Sequence, residues 1–241
     1  MRSIKDLYNK KYGNESWKAI QLRPHATHTN AYDDTFRLLR KTIPSGSILE
    51  VGCGSGRLAV ALAEKGYDVL GYDLSDVRIE LATKVVQENY PHLASKLNFV
   101  AGDVDDLIPG QKNGFDCVIL CAVLEHVPDP FVLLRQCYER TGHNGHIIVS
   151  VPNAGYIKHI FSLLRGRVPK TGTPNRDMEY WEEHGWDGAH FHYFTKIELK
   201  NALKHVGYAP IEWTSDGKFA KFRRWSTLLS GELTVVAQKT S

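Results

Sequence analysis

Residues 47–57, Ser-Ile-Leu-Glu-Val-Gly-Cys-Gly-Ser-Gly-Arg, constrain the fold more than any other stretch, because a short apolar run stops at three closely spaced glycines. Without a Cβ, Gly52, Gly54 and Gly56 let the backbone turn sharply from strand to helix and approach a ligand closely. A dinucleotide fingerprint also wants glycine at position 57, to pack helix on strand; this chain has Arg57, which weakens a nicotinamide reading. The acids decide more. Glu50 stands at the loop, Asp73 follows the next mostly apolar run, 67–72, and Asp103 follows a third, 97–101. Three converging carboxylates would repel a pyrophosphate but suit a ligand with an ammonium, a sulfonium and two ribose hydroxyls. S-adenosylmethionine is such a ligand.

Strand-length apolar runs at 47–51, 68–72, 97–101, 115–121 and 145–151 alternate with helical patterns, which predicts βαβ units and a parallel sheet. The helix after the glycine loop runs from about Arg57 to Lys65 and stops at Gly66. Ser75 is the expected N-cap of the next, with Asp76 at the positive end of its dipole. Asp129-Pro130 starts another, and Thr195 with Glu198 reads as a capping box ahead of Leu199, Ala202, Leu203 and Val206. Upstream, Tyr32, Phe36 and Leu39 recur at helical spacing, so residues 1–43 are expected to form a helical cap on the cofactor side. Residues 152–194, with three prolines, five glycines and an aromatic cluster, lack a sustained period and read as a lid or binding loop.

Four motifs together carry a family resemblance: Ile48 to Gly56, Gly71-Tyr-Asp-Leu-Ser75, Gly102-Asp-Val104, and Phe115 to Val127 with its Leu-Glu-His-Val ending. In this order they resemble the class I S-adenosylmethionine-dependent methyltransferases, specifically the small type related to the ubiquinone-biosynthesis enzymes, over most of residues 45–151. The resemblance implies an α/β, Rossmann-like sheet of seven mostly parallel strands with helices on both faces. Residues 208–214 and 232–237 would be its closing antiparallel pair. It implies S-adenosyl-L-methionine as cofactor, held by Glu50, Gly52, Cys53, Gly54, Gly56, Asp73, Leu74, Asp103, Val104, Leu120 and Cys121. Asp73, 21 residues beyond Gly52, has the reach at which an acid meets ribose hydroxyls. In the family an acid at the position of Asp103 accepts from the adenine amino group, with the backbone of Val104 on the ring edge. Leu120 and Cys121 end the fourth strand, where strand order should reverse, and their backbone is expected along the methionine moiety.

Three histidines are candidate general bases: His126, just beyond the fourth strand beside Glu125, and His192 and His190, which alternate and would share one face of an extended segment. That pair has metal-ligand character, but spacing identifies no third ligand, and no metal is assigned. The element 189–195, Ala-His-Phe-His-Tyr-Phe-Thr, resembles one found in many small methyltransferases.

A chain of 241 residues with 42% hydrophobic content is sized for one domain, 1–241. Within it, 44–151 is the cofactor-binding core, 152–193 a substrate lid and 194–241 a C-terminal helix and strand pair. The amino terminus has no apolar h-region, and the longest apolar run, 117–124, is too short to span a bilayer, so a cytoplasmic protein without stable membrane insertion is expected. Cys53, Cys117, Cys121 and Cys137 read as small buried hydrophobes kept reduced. The net charge of +3 argues against a nucleic-acid footprint, except at the basic run 218–225. The expected reaction is methyl transfer to an O or N atom of a small metabolite, by analogy a sugar, polysaccharide-precursor or natural-product acceptor. A quinone or lipid methyltransferase, using the segment 157–167 as an amphipathic surface helix, and a nucleic-acid methyltransferase are the alternatives. A cofactor-binding module without catalysis is a third. Sequence assigns no oligomeric state.

Overall fold

The computed structural model describes Lys5, Asn9 and residues 30–102, 114–173, 175–214 and 227–240. Asp103, Val104 and the basic run 218–225 therefore lie outside the described residues. The elements are α1 (Asn30–Thr42), β1 (Ser47–Val51), α2 (Arg57–Glu64), β2 (Asp68–Asp73), α3 (Asp76–Asn89), β3 (Leu97–Ala101) and β4 (Phe115–Cys121). They continue as α4 (Pro130–Arg140), β5 (Thr141–Pro152), α5 (Ile157–Leu164), α6 (Met178–His184), α7 (Lys196–Val206), β6 (Tyr208–Thr214) and β7 (Glu232–Lys239).

One seven-stranded sheet has the order β3-β2-β1-β4-β5-β7-β6. β7 runs antiparallel to both β5 and β6, while the other pairings are parallel. The expected α/β, Rossmann-like architecture with its closing antiparallel pair is the one found.

Period-two alternation divides each strand between two cores. Ile48, Cys117, Ile119, Ile148 and Val236 face a cluster with Leu38 and Leu39 of α1, Leu58 and Leu62 of α2 and Val86 of α3. Leu49, Val51, Val118, Leu120, Val149 and Val235 face the opposite cluster, with Leu133, Leu134 and Cys137 of α4 and Leu199 and Leu203 of α7. All four cysteines are free and buried.

Local chemistry sets the helix ends. The Ser75 hydroxyl accepts from the Arg78 N–H at 3.4 Å. Asp129 accepts from Phe131 N–H at 2.8 Å and Val132 N–H at 3.2 Å, with Pro130 in the first turn where its missing N–H costs nothing. Thr195 accepts from Ile197 N–H at 3.3 Å, and Gly207 ends α7 in the left-handed region at φ 108°.

Two regions depart from the sequence reading. β5 begins at Thr141 rather than 145, because Asn144 takes a left-handed φ of 59° and the pairing with β4 shifts register between Phe115 and Cys117. A bulge of this kind breaks the period the reading relied on. Residues 152–194 also hold more regular structure than expected: α5, α6 and a 3₁₀ turn at Trp186–Gly188.

On the glycine-loop side, the Ser75 hydroxyl donates to Asn9 Oδ1 at 2.6 Å and Lys5 pairs with Asp76 at 2.6 Å. α1 is tied to the sheet edge by Lys41 and Glu212, 2.5 Å apart. Both described parts of the amino-terminal cap thus reach the sheet or the start of α3.

Candidate active site

Strand order reverses between β1 and β4, and the loops leaving their carboxyl ends bound a crevice of the kind where open α/β sheets bind ligands. The two loops touch: a Cβ on Gly52, whose φ is +73°, would lie 2.4 Å from the Val123 side chain. Any residue but glycine would push β1's loop off β4's. Gly52 and Cys53 N–H both donate to the Tyr72 carbonyl, at 2.7 and 3.1 Å, which bends the chain back over β2.

Two carboxylates organise this bank. Asp73, 8% exposed, accepts Gly54 N–H on Oδ2 at 2.7 Å and Ser75 N–H on Oδ1 at 2.9 Å. Each oxygen keeps a second lone pair for a further donor, so the group holds the glycine loop and can still receive hydroxyls. Glu50 is 2% exposed and points to the α1–α2 face of the sheet. It accepts the Ala59 N–H of α2, a helix whose own N-cap, Gly56, has no side chain. Its Oε2 meets no donor. Burial, and then the neighbouring charge of Asp73, push the Glu50 carboxyl up to about 8. An orphaned buried acceptor beside a glycine cradle fits a ligand that brings N–H or O–H donors.

The shift carries a pH signature. Folded Glu50 keeps its proton to about pH 8, whereas the unfolded carboxyl loses it near 4.5, so between these values the folded chain holds the extra proton. Stability therefore falls as pH rises through that window, by at most about 1.4 kcal/mol per pH unit for one carboxyl. Thermal unfolding from pH 5 to 8 is expected to show a decline that Glu50→Gln flattens; equal slopes in both proteins would remove Glu50 as its source.

Leu120 and Cys121 end β4 with buried side chains, and burial raises the Cys121 thiol well above its ordinary value. Cys53 is buried in the glycine loop, and Leu74 is half-buried next to Asp73. Tyr32 of α1 leans over this end, its phenol raised first by burial and then by the charges of Cys121 and Glu50.

Beyond β4, the segment that follows the strand is stitched to the chain ahead of α7. Phe191 and His192 N–H both donate to the Glu125 carbonyl, at 2.8 and 3.2 Å, and His126 Nδ1 donates to the Ala189 carbonyl at 2.9 Å. His190 and His192 alternate with the exposed Phe191 and Tyr193, as expected, but hold different partners. Ala189, at φ 67°, turns the chain just ahead of this segment. His192 Nε2 lies 3.0 and 3.2 Å from the Val127 and Pro128 carbonyls and must be the protonated nitrogen there. His190 is instead 6% exposed and packs edge-on against His126, ring centres 4.4 Å apart. Glu125 lies beside them, 1% exposed. Its oxygens meet no donor in bonding geometry, and burial, then Glu232, push the carboxyl up to about 8.

The sequence reading missed the group that holds His190. Asp187, fully buried, accepts from Thr171 N–H at 2.7 Å, Thr171 hydroxyl at 3.0 Å, Gly172 and Thr173 N–H at 3.3 Å each, and Tyr193 hydroxyl at 3.3 Å. Its left-handed φ of 47° lies within a Trp-Asp-Gly turn, the one signal the sequence offered. Because the Thr171 proton goes to Asp187, its oxygen accepts from His190 Nδ1 at 2.8 Å. A Cβ on Gly172 would lie 1.9 Å from the Asp187 carbonyl oxygen and 2.9 Å from His190 Nε2. Gly172→Ala is expected to destabilise the fold by at least about 1–3 kcal/mol and to unseat His190, read by thermal unfolding and histidine ring NMR. An unshifted His190 spectrum would contradict this packing.

A family model described as a methyltransferase domain matches residues 25–212. The chain belongs to the class I S-adenosylmethionine-dependent methyltransferases. Among relatives of this methyltransferase, the ubiquinone biosynthesis O-methyltransferase of Nitrosospira multiformis is 32% identical over 133 residues, 55% of this chain and 54% of that protein. The match thus spans about half the relative's length. The Burkholderia thailandensis 1,6-didemethyltoxoflavin-N1-methyltransferase, solved with S-adenosylhomocysteine, superposes with a TM-score of 0.65 at 17% identity, covering 98% of this chain and 88% of that one. Magnesium protoporphyrin IX methyltransferase from Synechocystis PCC 6803, also solved with S-adenosylhomocysteine, gives 0.65 at 16%, covering 98% and 94%. At these identities the two structures speak for the fold.

Proposed function

We propose that this methyltransferase moves the methyl group of S-adenosylmethionine to an oxygen or nitrogen of a small metabolite, with sugars, polysaccharide precursors and natural products as the acceptor classes to test. The observation that supports this most is that two groups of buried polar side chains stand at the ends of β1 and β4, the neighbouring strands where order reverses, with Cys121 at the end of β4 near the charges of both Glu50 and Glu125. Glu50 and Asp73, with the glycine loop, form one bank; Glu125, His126 and His190 form the other. When bound, the cofactor supplies an electrophilic methyl group. Asp73 would receive the ribose hydroxyls, and Glu50 the remaining polar contacts of the first bank. With Nδ1 of His126 donating to the Ala189 carbonyl, its lone pair sits on Nε2, the position from which a base takes an acceptor's proton. His192 donates its Nε2 proton to two carbonyls, so any base role there would fall to its Nδ1. Residues 152–193 would cover the crevice and exclude water.

Incubation with S-adenosylmethionine labelled in the methyl group, against a panel of hydroxyl and amine acceptors, tests the proposal by mass spectrometry of the product. Methylation of a soluble acceptor supports it. One observation favours a lipid or quinone acceptor: Phe161, Leu163 and Leu164 of α5 are 51, 56 and 77% exposed, next to Arg165 and Arg167. Flotation with anionic liposomes, lost on Leu164→Glu, would move the assignment to that class. Among the described residues no helix is long and apolar enough to cross a membrane.

A further inference from the structure

We propose that Glu125, His126 and His190 form a binding site for a divalent transition-metal ion of the zinc type. The three side chains each present one ligand atom, and these atoms all lie within 4.8 Å of one another. Two imidazoles and one carboxylate are a donor set that suits zinc and leaves coordination positions open. An ion with ligands at about 2.0–2.2 Å in a tetrahedron spaces them roughly 3.3–3.6 Å apart, so side-chain rotations of about 1 Å close the shell.

Three observations beyond proximity point to a ligand. Glu125 is 1% exposed, and neither carboxylate oxygen has a hydrogen-bond donor, an arrangement that is costly unless a cation or a proton occupies the site. Both histidines are oriented as metal ligands are, with the far ring nitrogen donating to a fixed acceptor: His126 Nδ1 to the Ala189 carbonyl at 2.9 Å, His190 Nδ1 to Thr171 Oγ1 at 2.8 Å. Thr171 is itself held by the buried Asp187 carboxylate at 3.0 Å, so the network assigns the lone pair of each ring to Nε2. The backbone is also fixed, because Phe191 and His192 N–H clamp the Glu125 carbonyl and bring 125–126 against 190.

The site adjoins Val123, whose side chain meets the glycine loop, and so lies at the β4 side of the crevice. If the methyl-transfer reading holds, on which this clause rests, an ion here would bind an acceptor hydroxyl and lower its pKa, replacing the base role of the His126 Nε2 lone pair that coordination would occupy.

The test is titration of the purified 241-residue chain, stripped with chelator, with Zn²⁺ in competition with a chromophoric chelator, and with Co²⁺ followed by its visible absorption. One equivalent of Zn²⁺ and a Co²⁺ spectrum of low-symmetry nitrogen and oxygen ligation are expected. His190→Ala and Glu125→Gln should each weaken Zn²⁺ at least 10-fold, and Thr171→Val, which leaves all three ligands in place, by about 10-fold or more. S-adenosylhomocysteine affinity is measured on every protein as a check that it is folded; should His190→Ala fail that check, Thr171→Val and the Co²⁺ spectrum decide. Absence of stoichiometric Zn²⁺ in a wild type that still binds S-adenosylhomocysteine overturns the metal site alone, as does affinity unchanged in Glu125→Gln and Thr171→Val. Wild type that takes up Zn²⁺ but not S-adenosylhomocysteine keeps the metal site and overturns the methyl-transfer reading.

Discussion

Replacing His126 with alanine is expected to lower turnover on an identified acceptor by about 100-fold or more while leaving S-adenosylhomocysteine affinity unchanged. The expectation follows from where the ring sits. His126 follows β4 at the strand-order reversal, is oriented through Nδ1 by the Ala189 carbonyl, and packs on His190. His190→Ala should show a similar split, because it removes the ring that His126 packs against. His192→Ala is the third variant: its ring donates Nε2–H to two backbone carbonyls, leaving Nδ1 as its basic nitrogen, and near-normal turnover would remove it as the base. Steady-state kinetics with parallel calorimetry checks all three. Near-normal turnover in His126→Ala and His190→Ala would mean that neither moves the acceptor's proton, leaving alignment of the reactants as the source of rate.

The second large effect is on the opposite bank. Asp73→Ala is expected to cost about 1.5–3 kcal/mol of cofactor affinity, roughly 10- to 150-fold, through loss of charge-assisted hydrogen bonds to the ribose. Asp73 also holds Gly54 and Ser75 N–H, so part of the loss comes from a loosened glycine loop. Asp73→Asn separates the contributions: its one carbonyl oxygen can keep a loop contact while the charge is gone, so its affinity should fall between those of wild type and Asp73→Ala. Calorimetry measures the series, with thermal unfolding as the check on folding. An Asp73→Ala protein with unchanged affinity would reduce this acid to a loop tether.

The sheet was legible in the sequence because its strands are written as apolar runs cut by glycine and capping residues. Each run from 47 to 121 reappears within a residue or two as a strand. Ser75, Asp129 and Thr195 cap helices as their residue types demand. The placement of Glu50, Gly52 and Asp73 together was legible for the same reason, since they lie at strand ends whose positions follow from the period. The second bank was legible only in its members. Alternation put His190 on one side of its segment with His192, but gave no sign of the left-handed turns at Asp187 and Ala189 ahead of it or of the meeting of His190 with His126 and Glu125. No periodicity encodes such turns, and the contacts that fix them, Asp187 to Thr171 and His126 to Ala189, join residues 16 and 63 positions apart in irregular backbone. β5 shows the same limit on a smaller scale, its first residues hidden by the left-handed Asn144.

Calorimetric titration of the wild-type chain with S-adenosylhomocysteine and, separately, with NAD tests the central claim most directly. One-site binding of S-adenosylhomocysteine, weakened in Asp73→Ala, with no heat from NAD, is the predicted result. Binding of NAD without binding of S-adenosylhomocysteine would contradict it.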